Sequence, residues 1–425
     1  MHKILVKNNN KPLVGEIPVN GAKNSILPIM AASLLCNASV TLFNVPDLID
    51  VHLMSELLKN FGAEVSFVRN EAYKANHTLK ISCDNIVDHV ASHEIANKLR
   101  ASFLILGPML SRFGRVETVF PGGCNIGKRP VSMHIKALKE MRAKIEVHDY
   151  NITAEVKGKL RGKEIVFEKV SVGATQNVVM AATLAEGETV IYNSAIEPEV
   201  LDMIDFLNKS GANISVHENR IIIKGVEKLS GCSHRVIPDR IEAGTYSLAA
   251  VITGGKLELK GINLSNIRYI VNELETIGAE IASKEDSITI SKKDGFIRPI
   301  NITTSAYPGF PSDMQPQLMS VMCIANGISI IEENIFENRL MHVNELKKMA
   351  ANIYVENNKA TVIGTKKLFG TNLNATDLRS TAALILAALI ADGETVINNA
   401  SHLHRGYEAI HEKLNSCGAN ISILT

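Results

Sequence analysis

The chain has almost no surplus of charge of either sign. Lys and Arg total 45, Asp and Glu 44, and the formal net charge is +1. That balance argues against a general nucleic-acid or membrane-surface binder and leaves room only for a local basic pocket. Aromatic residues make up 5%, too few to interleave with basic groups as a nucleic-acid platform requires. Long apolar runs are missing as well. The longest, Thr381 to Ala391, is 11 residues, too short to cross a bilayer, so no membrane insertion is expected. The opening residues, MHKILVKNNN, hold no apolar core of signal-peptide length. The six cysteines, at 36, 83, 124, 232, 323 and 417, show no CxxC spacing. Neither a zinc site nor a disulfide framework is expected from them, and a reducing, cytoplasmic compartment is. No cluster has metal-ligand spacing, so neither a metal nor an organic cofactor is expected. With 425 residues, 46% hydrophobic and 21% charged, the chain has the composition of a soluble globular protein of two or three domains.

What the chain does have is a repeat. Ala, one polar residue, then Ile or Val recurs at Ala63, Ala143, Ala212, Ala279, Ala351 and Ala419, at intervals of 80, 69, 67, 72 and 68 residues. Each unit carries an Ala-rich apolar stretch, such as Val178 to Leu184 or Ala382 to Leu389, whose length and small residues predict a buried helix. A turn and a short strand follow; Gly187 to Ile191 and Gly393 to Ile397 share the same five residues. A more polar helix comes next and usually stops at Gly (Gly62, Gly211, Gly278, Gly418), which suits a left-handed cap. The Ala-polar-Ile motif then opens a second strand, often with a hairpin partner. The extra length of the first interval, between Val65 and Asn97, is expected to form an extended hairpin. Units of roughly 70 residues are too small to bury a core alone. The pattern therefore predicts an α/β fold of two three-unit domains, with apolar helices at the centre of each and sheets outside. The boundaries are 22–237 for the first domain and 1–21 plus 238–425 for the second, and a cleft between them is the expected small-molecule site.

The units differ where their helices start. Lys23-Asn24, Arg100 and Arg379 lie at the starts of apolar helices, and Arg129, Arg268, Arg339 and Arg405 at the starts of polar ones. Helix N-termini favour anions, and Arg pairs with phosphate and carboxylate in a fixed geometry. Several such groups at equivalent positions predict a ligand carrying both. One junction is unlike the rest: Phe120 to Pro130, FPGGCNIGKRP, holds three glycines, two prolines and Cys124. A free thiol titrates near ~8.5 and nearby cations such as Lys128 and Arg129 lower it. Cys124 is a candidate nucleophile or proton donor. Cys36, Cys323 and Cys417 sit in apolar surroundings or beside a helix cap and read as core. Asp313 opens an apolar helix, either as its N-cap or as a general base. Asp377 is similar, with an ion pair to Arg379 as an equally good account. His134 and His402 to His404 read as structural or orienting.

Taken together, GAKN (Gly21 to Asn24), PGGCNIGKRP, KVSVGAT (Lys169 to Thr175), FPSDMQ (Phe310 to Gln315), FENRLMHV (Phe336 to Val343), ATDLRS (Ala375 to Ser380) and HRGYE (His404 to Glu408) resemble the UDP-N-acetylglucosamine enolpyruvyl transferases. The likeness runs over essentially the whole chain. The related 5-enolpyruvylshikimate-3-phosphate synthases share the sixfold design but lack the cysteine loop. The resemblance implies two inside-out α/β barrel domains of three repeats each. It implies transfer of the enolpyruvyl group of phosphoenolpyruvate to the 3′-hydroxyl of UDP-N-acetylglucosamine, the first committed step of peptidoglycan synthesis. Cys124 would be the proton donor and the residue alkylated by fosfomycin, and Asp313 the base for the sugar hydroxyl. Lys23, Asn24, Arg129, Arg339, Arg379 and Arg405 would hold phosphoenolpyruvate, with Lys23 and Arg405 also catalytic. Arg100, Arg129, Pro130, Val131, Ser132, Met133, Lys169, Val170, Ser171, Val172, Asp313 and Ile335 would hold the UDP-sugar. Ser132 and Met133 replace the Asp-Leu of many members; contacts there are largely backbone, so little loss is expected. A non-catalytic UDP-sugar sensor would keep the arginines without needing Cys124.

Overall fold

The computed structural model describes residues 3–70, 75–122, 126–127, 129–293 and 295–424. Two compact units divide it: the described parts of 21–123 and 129–237 form the first, those of 1–20, 124–128 and 238–425 the second. Cys124 and Lys128 lie outside the described residues.

Each of the six Ala-polar-Ile motifs opens a strand: Glu64–Val68, Lys144–His148, Asn213–His217, Ala279–Ser283, Asn352–Glu356 and Ile421–Leu424. In the first unit these edge strands pair antiparallel with His77–Ser82, Asn151–Glu155 and Arg220–Lys224. Every sheet also gains a parallel neighbour from the preceding repeat. Glu164–Val166 joins Glu188–Tyr192, Val90 bridges Glu117, and Ser233–Arg235 returns to Val40–Val45, which closes the set of three. The second unit repeats the scheme with Val14–Pro18 beside Lys256–Lys260, Ile302–Thr303 beside Ile328–Glu332, and Asn372–Asn374 beside Glu394–Asn398. Its last hairpin is completed from the N-terminus, since Lys3–Lys7 lies between Glu394–Asn398 and Ile421–Leu424.

Strand side chains alternate buried and exposed, as in Arg220–Lys224, so one face of each sheet covers a core. That core is made of helices. Lys23–Ala32, Leu106–Phe113 and Val172–Thr183 fill the first unit; Arg240–Thr253, Gln315–Met322 and Leu378–Ala388 fill the second. The last two are buried along their whole length, so their small and apolar residues face protein all round rather than along one stripe. Hydroxyls among them bond to the carbonyl one turn back, as Thr183 does to Val179 at 2.9 Å and Ser247 to Ala243 at 2.8 Å, which satisfies those buried donors. Helices inside and sheets outside make each unit an inside-out α/β barrel.

The second repeat departs from expectation at its entry. The apolar helix does not begin at Asn97 to Arg100. A short helix, His93–Lys98, is followed by extended Leu99, then a 3₁₀ turn Arg100–Ile105, and only then Leu106–Phe113. The extra residues of the first repeat are therefore shared between the Glu64–Val68/His77–Ser82 hairpin and that helix. The capping glycines behave as read: Gly62, Gly211, Gly278 and Gly418 have φ of 107°, 106°, 110° and 105°. The two units without glycine put Arg142 (φ 77°) and Ala350 (φ 68°) into the same left-handed region, which costs an L-residue about 1–2 kcal/mol. Ala350 is exposed. Ala350→Gly should therefore raise stability by about 0.5–1 kcal/mol after the added freedom of the unfolded chain is subtracted. A lowered melting midpoint in thermal denaturation would contradict this.

Candidate active site

In the first unit the expected ligand-binding residues gather at helix starts. Lys23 opens Lys23–Ala32, and its ammonium lies 3.2 Å from the buried Asp50 carboxylate, which draws it to one side of that helix. Arg100 opens its 3₁₀ turn and reaches across the loop. Its guanidinium donates to the carbonyl of Arg129 and, at 3.5 Å, to that of Pro121. Burial, with the charge of Arg129 adding to it, pulls Arg100 down to about 10. Arg100 thus braces the backbone that leads through Pro130 and Val131 to Ser132–Glu140, whose first residues are Ser132 and Met133.

His134 joins that helix to the next segment. A Cβ on Gly173 would sit 3.1 Å from the His134 ring, a tight contact that glycine avoids where the start of Val172–Thr183 meets that ring. Ser171 caps this helix by accepting from the Ala174 N–H at 3.4 Å. Lys169 and Val170 lead into it. His134 is buried, edge-on to Phe103 at 5.2 Å, and pushed down to about 3 by burial and then by Arg100. Asn177 fixes its tautomer. The Asn177 Oδ1 accepts the Gly107 N–H at 2.6 Å, so its Nδ2 donates to Phe103 O (2.9 Å) and to His134 Nδ1 (3.0 Å). The His134 proton therefore resides on Nε2. His134 is an orienting group, as the sequence reading had it, and it brings together the segments 129–133 and 169–172.

The second unit holds a denser arrangement. Asp313 places one carboxylate oxygen 2.8 Å from Arg339 Nη2 and the other 3.0 Å from Arg379 Nη2. Both guanidiniums are 3% exposed, and Asp313 is 29% exposed. Burial, the largest single effect, works against the charge of Arg379, and Asp313, Tyr407 and Asp239 together outweigh it, so the group is held above its ordinary value. The Arg379 guanidinium also lies over the Tyr407 ring, 5.4 Å from its centre. Of the two readings of Asp313, the N-cap falls away: Pro311 precedes the Ser312–Met314 turn and no side chain caps it. Asp377 is the true cap, accepting from Arg379 N (2.9 Å) and Ser380 N (3.2 Å). Its charged neighbour is Arg339, 3.7 Å away, rather than the Arg379 guanidinium.

Glu333, which no motif had singled out, ties two expected residues together. It is buried and accepts from the Ser312 hydroxyl (2.9 Å), the Thr304 hydroxyl (3.0 Å), the Ile335 N–H (2.9 Å) and the Phe336 N–H (3.1 Å). It thus fixes Asp313's neighbour and Ile335 with one carboxylate. Arg405 ends the Ala400–Arg405 turn, and the next residue, Gly406, abuts Leu378 so closely that a Cβ would meet its side chain at 2.5 Å. Arg405 is thereby held near the start of the Arg379 helix. Arg268, counted with these arginines by position, stays exposed at the start of Arg268–Ile277. Ile126, two residues past Cys124 in the sequence, accepts the Asn338 N–H at 3.0 Å, one residue from Arg339.

Among the described residues, Asp202, Asp205 and His234 have ligand atoms within 4.8 Å of one another, as a metal would need. These atoms are already engaged. Asp202 accepts the Ser25 hydroxyl, His234 Nε2 at 3.0 Å and the Ile237 N–H at 3.3 Å, while Asp205 pairs with Lys209 at 2.6 Å. A cation there would compete with an ammonium, and the group reads as a structural link between helices.

Comparison with known proteins places the chain in a family. The profile of EPSP synthase (3-phosphoshikimate 1-carboxyvinyltransferase) matches residues 7–414. A protein of Wolbachia pipientis wMel named UDP-N-acetylglucosamine 1-carboxyvinyltransferase is 69% identical over 423 residues, covering 100% of both chains. One of the same name from Anaplasma marginale (strain St. Maries) is 48% identical over 420 residues, covering 99% of this chain and 98% of that protein. The solved enolpyruvyl transferase NikO from Streptomyces tendae shares the fold with a TM-score of 0.90 at 23% identity, covering 100% of this chain and 99% of that one. An EPSP synthase from Acinetobacter baumannii does so with a TM-score of 0.78 at 16% identity, covering 100% of each. The chain belongs to the EPSP synthase family and, within it, to the UDP-N-acetylglucosamine 1-carboxyvinyltransferases.

Proposed function

We propose that this chain transfers the enolpyruvyl group of phosphoenolpyruvate to the 3′-hydroxyl of UDP-N-acetylglucosamine and releases phosphate, the first committed step of peptidoglycan synthesis. The observation that carries the proposal is full-length identity of 69% to an enzyme of that name. The chemistry is addition followed by elimination. Cys124 gives its proton to the methylene carbon of phosphoenolpyruvate. The sugar oxygen bonds to the central carbon, and its proton passes to Asp313. The tetrahedral intermediate then loses phosphate from that carbon and a proton from the new methyl group, which restores the double bond in the product.

Both anions of phosphoenolpyruvate need partners. Lys23, Asn24, Arg129 and Arg405 are assigned to the phosphate side, Arg339 and Arg379 to the carboxylate side. Lys23 and Arg405 also offset charge on the departing phosphate. Arg100, residues 129–133, residues 169–172, Asp313 and Ile335 are assigned to the UDP-sugar. Support comes from the bracing of 129–131 by Arg100, the His134 contact that joins the two sugar segments, and the Glu333 link from Ser312 to Ile335. Fosfomycin, an epoxide, would alkylate the Cys124 thiol. The scattered cysteines support a cytoplasmic location, and among the described residues no helix is long and apolar enough to cross a membrane.

Phosphate release from phosphoenolpyruvate, with and without UDP-N-acetylglucosamine, tests this reading directly. Release should require the sugar nucleotide. Release without it, or turnover with shikimate 3-phosphate in its place, would reject the assignment.

A further inference from the structure

The carboxylate of Asp313 sits where a substrate carboxylate is expected. Each of its oxygens takes one guanidinium, at 2.8 Å from Arg339 and 3.0 Å from Arg379. This is the two-point arrangement by which arginines hold a planar carboxylate. The two cations are locked. Each is 3% exposed, Arg379 is stacked on Tyr407, and Arg339 is steadied by Asp377 at 3.7 Å. Asp377 itself is committed as a helix cap. The Asp313 carboxylate is the accessible member, on a single 3₁₀ turn, Ser312–Met314. The guanidiniums also keep donors in reserve: among the described residues Arg339 Nε and Arg379 Nη1 are buried and have no hydrogen-bond partner. Orphaned buried donors on a cation are costly and point to a further acceptor in that place.

We propose that Asp313 is a stand-in for the carboxylate of phosphoenolpyruvate: the substrate displaces it from Arg339 and Arg379, and the displacement frees Asp313 to take the sugar proton. The identity of the anion rests on the function proposed above. Asp313 occupies the bridging position between the two guanidiniums that a planar carboxylate would take, and two like charges so close repel. Arrival of the substrate and release of the base are therefore one event. A base whose lone pairs are tied to two guanidiniums is a poor proton acceptor, so the sugar hydroxyl is activated only when its reaction partner is in place. The arrangement costs affinity, because the substrate must compete with an internal ligand.

The test is phosphoenolpyruvate binding, measured by calorimetry in the presence of a UDP-N-acetylglucosamine analogue lacking the 3′-hydroxyl, so that nothing reacts. Asp313→Asn should bind phosphoenolpyruvate about tenfold more tightly than wild type if the internal carboxylate holds the site about nine-tenths of the time. Unchanged or weaker binding overturns the proposal. Should the variant not fold, the wild-type crystal structure with phosphoenolpyruvate and the same analogue decides. The Asp313 carboxylate should then lie beyond about 4 Å from both guanidiniums; retention of both contacts overturns the idea. A wild type with no sugar-dependent phosphate release would remove the function itself. A wild type that turns over, with no tightening in Asp313→Asn, would remove only the stand-in.

Discussion

Cys124→Ala should lower kcat by about 10²–10⁴-fold, the range in which a positioned general acid contributes, while the KM for UDP-N-acetylglucosamine stays near the wild-type value. Addition across the enol double bond needs a proton on the methylene carbon as the sugar oxygen bonds to its neighbour. Alanine supplies none, and the proton must then come from water. Cys124→Asp makes the sharper experiment. A carboxylic acid can also donate, but only while protonated, and an ordinary Asp titrates near ~3.9 against ~8.5 for a thiol. The wild-type rate should fall as pH rises through the thiol's value. In Cys124→Asp that falling limb should move several units toward acid. Steady-state rates from pH 5 to 9 check both variants, and neither should be inactivated by a thiol-alkylating epoxide. A falling limb that stays in place in Cys124→Asp would exclude the side chain at 124 as the donor.

Much of this was legible in the sequence because it repeats. The Ala-polar-Ile motif marks six strands at nearly even spacing, and four glycines mark left-handed caps that the backbone requires at φ near 105–110°. These are local features, set by the residue and its nearest neighbours. The core helices were legible for a related reason: only an Ala-rich, all-round apolar stretch can lie at the centre of three sheets. The partners of Asp313 were not legible. Locally, an acidic residue at a helix start reads as a cap, and what distinguishes it from one is a pair of arginines 26 and 66 residues away. Asp377, with a similar local pattern, is the cap. Glu333 escaped notice because a carboxylate at a strand end reads as a solvated surface group, and only the folded chain shows four donors converging on it. The burial of His134 likewise depends on Asn177, 43 residues on. Polar pairing between distant repeats leaves no periodic trace.

Acid should loosen the fold above the ordinary carboxylate range, the first unit most clearly, and two buried histidines are the reason. His134, in the first unit, is pushed down to about 3 by burial and then by the charge of Arg100. His342, in the second, is pushed down to about 4, with burial the largest cause; Asp377 pulls it up and Arg339 pushes it further down. Both ring nitrogens of His342 are buried and have no hydrogen-bond partner among the described residues. In the unfolded chain each histidine titrates near ~6.5. Between the unfolded and folded values the unfolded chain binds more protons, so stability rises with pH across that window. The contribution of each neutral histidine is complete above about 6.5 and is lost as pH falls toward its folded value. By pH 5 each should have lost about 2 kcal/mol, and by full protonation about 5 for His134 and about 3 for His342. Glu242 opposes the trend in the second unit, since burial raises its value even against the Lys413 ammonium at 2.8 Å and its effect lies above ~4.5, inside the same window, so the first unit should show the clearer drop. A loss of about 2 kcal/mol in a unit of this size lowers its melting midpoint by roughly 4–8 °C. Thermal denaturation from pH 7.5 to 5 should show that drop, and His134→Gln should flatten it for the first unit, because an amide at 134 can still take part in hydrogen bonding with Asn177 but cannot gain a charge. A midpoint that holds steady to pH 5, or a slope that His134→Gln leaves untouched, would mean that this ring is protonated or solvated in the folded chain, and the tautomer assigned from Asn177 would fall with it.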